Sequence, residues 1–292
     1  MNARTDNDVT IPLLRAPKAR DRTVAQLWEQ YQVEKELAAR LRDAPPLERR
    51  KLYSSVYDEL FRRIPHHSQL TDKVSPQQRA ARIAQQLRLL DRFLTPGTCL
   101  LEIGAGDCAL SLHVAPRVRK VYALDVSTFI TQGIPLPDNF ELILSDGVSV
   151  PVPAGGITLA YSNQLMEHLH PQDAAEQLAN IFQALAPGGA YVCITPSRFT
   201  GPHDISRYFA DTAHGFHLKE YTIAELREIM RRAGFRRTVQ YARIRGSYFA
   251  VPAWFTGILE TVCASLSSGM RARVCRNRIV RGLLDIRLVA WK

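Results

Sequence analysis

The chain has 292 residues, 46% of them hydrophobic and 23% charged. That apolar content excludes disorder over the whole length, and the size allows one large domain with appendages or at most two domains. The net charge of +10 is uneven: residues 1–98 carry 18 Lys and Arg against 12 Asp and Glu, residues 99–216 carry 5 against 11, and residues 217–292 carry 15 against 5. An acidic middle between basic arms is the reverse of what an enzyme gripping nucleic acid around its core needs, so nucleic acid is not the expected partner. Five cysteines without a CxxC pair exclude a disulfide scaffold; Cys99, Cys108 and Cys193 sit in apolar segments, as reduced thiols of a cytosolic protein do. Apolar runs of about 18 residues are lacking, and charges interrupt every apolar stretch up to Leu41. Neither a spanning helix nor a signal peptide is expected, which points to a cytoplasmic protein, at most peripheral at the inner face of a membrane.

Residues 1–22 are polar and Arg-rich with Pro12 and Pro17, and read as a loose tail. A helical extension over 23–97 follows. Its first helix places Val24, Leu27, Trp28, Tyr31, Ala38 and Leu41 roughly on one face. Pro45-Pro46 breaks the chain, and a second helix carries Tyr53, Val56, Tyr57, Leu60, Phe61 and Ile64 at i, i+3, i+4 spacing. The third opens on Ser75-Pro76 with Gln78 as capping-box partner and stops at Thr95-Pro96-Gly97.

Over 98–245 the texture changes to short apolar runs: Cys99–Ile103, Val121–Leu124, Glu141–Leu144, Ile157–Tyr161, Ala190–Ile194 and Val239–Ile244. Helical segments alternate with them, including Asp173–Ala186 and Thr222–Ala233, the latter with a Thr222/Glu225 capping box and Gly234 behind it. Strands apolar on both faces, alternating with helices, describe a doubly wound, Rossmann-like α/β sheet. An amphipathic and basic insert over 246–284 and a final strand over 285–292 complete the chain.

The first strand runs into Glu102-Ile103-Gly104-Ala105-Gly106, glycines that let a ligand approach the backbone closely. Alone this pattern also fits a dinucleotide site or an empty turn. Asp125 lies twenty-one residues beyond Gly104, where a second parallel strand ends and an acid can accept both ribose hydroxyls. Asp146-Gly147 ends the third strand, suited to an adenine amino group. Three polar elements on three strand ends converge on one crevice.

Together with Asn163–Leu169, Pro187-Gly188-Gly189 and Ala233-Gly234-Phe235, these residues resemble class I S-adenosylmethionine-dependent methyltransferases, and most closely the ubiquinone-type small-molecule group. The resemblance runs from about Cys99 to Ile244. It implies a seven-stranded sheet whose last strand, Ile286–Ala290, inserts antiparallel. It also implies that Glu102, Gly104 and Gly106 surround the methionine end of S-adenosylmethionine, that Asp125 binds the ribose and Asp146 and Gly147 the adenine, and that Asn163 lines the pocket.

For transfer to a hydroxyl a general base helps, and histidine suits neutral pH. His168 is the leading candidate, against a role in shaping its loop. His203 with Asp204 as its orienting carboxylate is the second, against a plain turn. His66-His67 offers a lid, or a solvated helix end. Tyr53, Tyr57 and Phe61 could cover the pocket or simply pack, and Arg198, Arg207 and Tyr208 could hold an anionic acceptor. Glu167, His168, His170, Asp173 and Asp204 have no diagnostic metal spacing, so no metal is expected.

The acceptor is accordingly expected to be a small molecule, a saccharide or a lipid-linked glycan. Rival readings are an RNA methyltransferase, suggested by the basic arms, and a non-catalytic cofactor-binding module. A dehydrogenase is disfavoured because the Tyr31/Lys35 pair precedes the glycine turn. In the insert, Val251, Trp254, Phe255, Ile258, Leu259, Val262, Cys263 and Leu266 keep helical spacing, and Arg271, Arg273, Arg276, Arg278 and Arg281 follow. That pattern fits an anionic membrane surface across 251–281, and equally a packed helix or a homodimer contact.

Overall fold

The computed structural model describes residues 2–4, 10–17, 22–71, 75–127 and 135–292. Two short strands, β1 (Asn2–Arg4) and β2 (Thr10–Pro12), pair antiparallel. Four helices follow: α1 (Val24–Asp43), α2 (Pro46–Arg63), α3 (Ser68–Thr71) and α4 (Pro76–Leu90). The core then runs β3 (Cys99–Ile103), α5 (Ala109–Val114), β4 (Lys120–Asp125), β5 (Phe140–Leu144), β6 (Ile157–Asn163), α6 (Pro171–Ala184) and β7 (Leu185–Thr195). It closes with α7 (Ile223–Arg232), β8 (Arg237–Ile244), β9 (Ser247–Val251), α8 (Ala253–Ser265), α9 (Ser268–Val274), α10 (Arg278–Leu284) and β10 (Ile286–Trp291). Both expected capping boxes form, at Ser75/Gln78 on α4 and Thr222/Glu225 on α7.

The main sheet has the order β5-β4-β3-β6-β7-β10-β8-β9. β3 to β7 are mutually parallel, and all five residues of β3 are buried, as a sheet covered on both faces requires. The chain order reverses between β3 and β6, which opens a crevice at the strand tips. β10 is antiparallel to both its neighbours, as expected. An eighth strand was not expected: β9 pairs back on β8 through Arg245-Gly246, whose φ angles of 50° and 88° make a tight hairpin turn. The insert read from residue 246 thus opens with an edge strand.

One apolar layer, with α1, α2, α6 and α7, covers one face of the sheet; a second, with α4 and α5, covers the other. The helical extension therefore straddles the sheet. Its hold on the core is ionic as well as apolar. Arg49 on α2 grips Asp173 on α6 with two bonds of 2.6 and 2.9 Å, and Tyr53 donates its hydroxyl to the same carboxylate at 2.7 Å. Arg49 and Asp173 are both almost wholly buried. The segment read as a loose tail is partly packed: Ile11 and Leu13 lie buried against Leu27, Tyr31, Tyr208 and Phe209, because two apolar residues there find an aromatic pocket. Within the described residues, no helix is long and apolar enough to cross a membrane.

Candidate active site

The turn after β3 is built by its own backbone. The Gly104 and Ala105 N–H groups donate to the Leu124 carbonyl at 2.8 and 3.0 Å. The Gly106 N–H donates to Asp125 Oδ2 at 2.8 Å, and Ser127 N–H donates to Oδ1 at 3.1 Å. Gly106 has φ +54°, and a Cβ there would meet nothing within 4 Å. The backbone therefore presents open space, which a ligand can fill at contact distance. A crevice at this point is lined by Glu102, Gly104, Asp107 and Asn163 from the strand tips and by Arg79 and Arg82 from α4. Burial lifts the Glu102 carboxyl to about 7 against the bond donated by Ser111 Oγ.

Asp146 and Gly147 are placed differently. Asp146 accepts from the Val148 and Ser149 N–H groups at 2.9 and 2.6 Å and lies 3.6 Å from the Arg50 guanidinium. Burial pushes its carboxyl up, but these bonds outweigh it and hold it below the ordinary value. Gly147 has φ +86°, its carbonyl accepts from Gln177 Nε2 at 2.6 Å, and a Cβ on it would stand 3.1 Å from the Tyr53 ring. These two residues fasten the β5 turn to α2 and α6. A second cleft, between α7 and α8 against Arg227, Glu228 and Thr256, shares no residue with the strand-tip crevice.

Beside the crevice, under α1 and α2, the fold gathers buried titratable side chains from distant segments: Glu34, His67, Glu167, Asp204, His217 and Glu220. His168 Nδ1 stands 3.0 Å from the Phe216 carbonyl and 3.2 Å from the Tyr57 hydroxyl. A carbonyl only accepts, so we assign the proton to Nδ1, which leaves Nε2 as the acceptor nitrogen. Burial, reinforced by the neighbouring His217, pulls the His168 pKa down to about 3. The two rings meet edge to face, centroids 5.0 Å apart.

His217 Nδ1 lies 2.8 Å from Glu220 Oε1. Burial pulls this imidazole down, but the Glu220 bond and the charges of Glu167 and Asp204 outweigh it and hold it above its ordinary value. Glu167 Oε2 accepts from Thr195 Oγ1 at 2.7 Å, while its buried Oε1 finds no hydrogen-bond partner among the described residues; burial lifts the carboxyl to about 7. Tyr57, 3.2 Å from His168 and packed on Phe216, has a hydroxyl that feels the charges of Glu34, Glu167 and Asp125.

The expected His203–Asp204 pair does not form. Asp204 is the N-cap of the short helical turn Ile205–Tyr208 and accepts from the Ser206 and Gly215 N–H groups at 3.0 and 2.8 Å. His203 turns instead to Thr200 Oγ1, 2.8 Å from its Nε2. The carboxylate that orients a histidine here is Glu220, on His217, a pair three residues apart that the sequence reading passed over. His67 is buried 3.7 Å from Glu34 and His66 lies 3.2 Å from the Gln26 carbonyl, so neither is a solvated helix end. Arg198 pairs with Glu225 at the surface, and Arg207 stacks on Tyr208, so neither is committed to an acceptor. Among the described residues, the set that could hold a cation is Glu167, His168 and His217, whose ligand atoms all lie within 4.8 Å of one another. His170, Asp173 and Asp204 are not part of it.

The family model described as a methyltransferase domain matches residues 75–240. A Mycolicibacterium smegmatis protein named "Probable S-adenosylmethionine-dependent methyltransferase" is 27% identical over 140 residues, 48% of this chain and 52% of that protein. The chain thus spans about half the length of this curated relative. Among solved structures, a methyltransferase in complex with the Haloferax volcanii Trm112 methyltransferase activator superposes with TM-score 0.51 at 15% identity, covering 74% of this chain and 94% of that one. Haemonchus contortus phosphoethanolamine N-methyltransferase 1 gives TM-score 0.50 at 16% identity, over 84% of this chain and 49% of that one. Both share the fold. With a matched domain over more than half its length and a glycine turn, acid and crevice where that domain needs them, the chain belongs to the methyltransferase-domain family of class I enzymes, whose cofactor is S-adenosylmethionine.

Proposed function

We propose that the chain transfers a methyl group from S-adenosylmethionine to a hydroxyl of a small molecule, a saccharide or a lipid-linked glycan. The observation that supports this reading is the His217–Glu220 pair at 2.8 Å, buried against His168 in the turn that follows β6, the strand whose tip supplies Asn163 to the crevice. Bound there, the cofactor supplies a methyl already activated on a sulfonium. Glu102 and Asn163 would face its methionine end, Arg79 and Arg82 match its carboxylate, and Asp125 has lone pairs left for ribose hydroxyls. Asp146 and Gly147 would reach adenine chiefly through the turn they hold in shape.

The protein's part is positioning and proton removal. Holding the acceptor oxygen in line can contribute about 7–11 kcal/mol of the barrier, and a positioned base about 10²–10⁴-fold. His217 suits the base role better than His168. With its proton-bound form as acidic as a pKa of about 3 implies, His168 is too weak a base to take a hydroxyl proton, and it serves as a neutral acceptor that orients the hydroxyl. His217 has the raised pKa, and Glu220 steadies the imidazolium that forms.

Labelled methyl transfer to a panel of glycans, quinones and tRNA tests this. Hydroxyl methylation lost in His217→Asn supports it; methylated tRNA, or tight cofactor binding with no transfer to any acceptor, sinks it. A second reading rests on Glu167 Oε1, which is buried without a partner beside His168 and His217. A divalent cation there would acidify the hydroxyl directly, with Glu220 behind His217 as the orienting carboxylate. Activity abolished by chelation and restored by Mn²⁺, Mg²⁺ or Zn²⁺ would favour it over the base.

A further inference from the structure

α8 is inside out. Its buried stripe is Thr256, Glu260 and Cys263, at i, i+4 and i+7. Glu260 accepts from the Ile223 and Ala224 N–H groups at 2.6 and 3.0 Å, capping α7, and Thr256 Oγ1 accepts from Arg227 at 2.9 Å. The polar side of the helix therefore holds it to the protein. Trp254 and Ile258 are left 68% and 57% exposed, with Val262 one turn on along the same face and Phe255 next to Trp254, and Met270 on α9 and Ile279 on α10 are exposed as well. Large apolar side chains exposed along one helix face mark an interaction surface.

Charge selects the occupant. Between residues 251 and 281 the only acidic residue is Glu260, and it is buried in the α7 cap. Arg273, Arg276, Arg278 and Arg281 are exposed. A second copy docked about a two-fold axis would bring this arginine cluster against itself. An anionic lipid surface answers both features, since arginines attract its headgroups while Trp and Phe seat at the headgroup boundary.

We propose that α8, α9 and α10 dock the protein on an anionic membrane. The same unit touches the loop that carries His203 and His217. Phe199 packs with Cys263, Cys275 and Leu284, and Thr200 Oγ1 stands within hydrogen-bond distance of both His203 and Asp285. Resting on the methyl-transfer reading above, this contact favours an acceptor presented from the membrane, the lipid-linked member of the proposed class.

The test is flotation of the full chain with phosphatidylcholine vesicles with and without phosphatidylglycerol. Binding only to the anionic vesicles, released by high salt, is expected. Trp254→Glu/Phe255→Glu and Arg273→Gln/Arg276→Gln/Arg278→Gln should each weaken it at least tenfold, with melting temperature and cofactor affinity unchanged. No flotation with either vesicle overturns the proposal. So does a concentration-dependent dimer that Trp254→Glu abolishes, since the occupant is then a second copy. Flotation without any methyl transfer would leave the docking surface standing and remove the hydroxyl-methylation reading alone.

Discussion

The glycine crevice and the histidine chamber lie side by side, yet they are made in opposite ways. The strand-borne residues of the crevice sit at or just past the ends of one parallel sheet, so a sheet of the right order delivers Glu102, Gly106, Asp125 and Asn163 together, and α4 adds Arg79 and Arg82. The chamber is collected from α1, the end of α2, the turn after β6 and the loop between β7 and α7, and only long-range packing closes it. The difference teaches where specificity can vary: a cofactor site tied to strand ends is fixed by the fold, whereas a chamber of loop and helix contributions is free to change its acceptor.

Removing the proposed base gives the largest expected effect. We predict that His217→Asn lowers kcat by about 10²–10⁴-fold with cofactor Kd unchanged. In the wild type the base works only when unprotonated. The rate should therefore rise with pH through a midpoint above the ordinary histidine value, and the variant should lack that limb. A wild-type profile flat across this range would break the assignment.

Next comes the Arg49–Asp173 clamp that fastens α2 to α6. Arg49→Met leaves Asp173 buried and unpaired, which should cost about 3–5 kcal/mol in denaturant unfolding. Burial pushes the Asp173 carboxyl up, but its bonds from Arg49 and Tyr53 outweigh this and hold it below its ordinary value. The stability they contribute is present above that ordinary value and lost as pH falls through the folded one. An unchanged unfolding midpoint would mean the chamber roof needs no ionic anchor.

Asp125→Ala sharpens the comparison from the crevice side. Losing charge-assisted bonds to a ribose should weaken cofactor binding by about 1.5–3 kcal/mol in calorimetry, with little change in chamber titration. Full affinity in that variant would remove the crevice assignment. The smallest effect belongs to Gly147→Ala. Its left-handed φ and the nearby Tyr53 ring should cost about 1–2 kcal/mol of thermal stability while transfer continues.

Legibility followed the same divide. Cys99–Ile103 is bounded to the residue and the capping boxes of α4 and α7 are visible, because those signals are local, although the equally local Thr23/Gln26 box of α1 passes unread. The β8–β9 hairpin escaped because Arg245-Gly246 lacks the Asn-Gly or Asp-Gly chemistry that advertises such turns. Asp204 looked like the partner of His203 because they are adjacent, and backbone capping claimed the carboxylate instead. The His217–Glu220 pair was in plain view, but its burial beside His168 depends on Phe216 and Tyr57 meeting across 159 residues of chain. The outward apolar face of α8 was undecidable from spacing, since the same periodicity describes a helix facing in or out.

Among the described residues, β8 and β9 join the parallel strands only through β10. Residues 286–291 are therefore a keystone rather than a trailing end, and the sheet stays in two pieces until they insert. Pairings between segments so distant along the chain form late and slowly. Until then the β7 edge stands uncovered, an opening for wrong strand pairing. Cutting the chain just before Ile286 would leave the hairpin without its link to the parallel strands, while α8 would keep its own hold on α7 through Glu260.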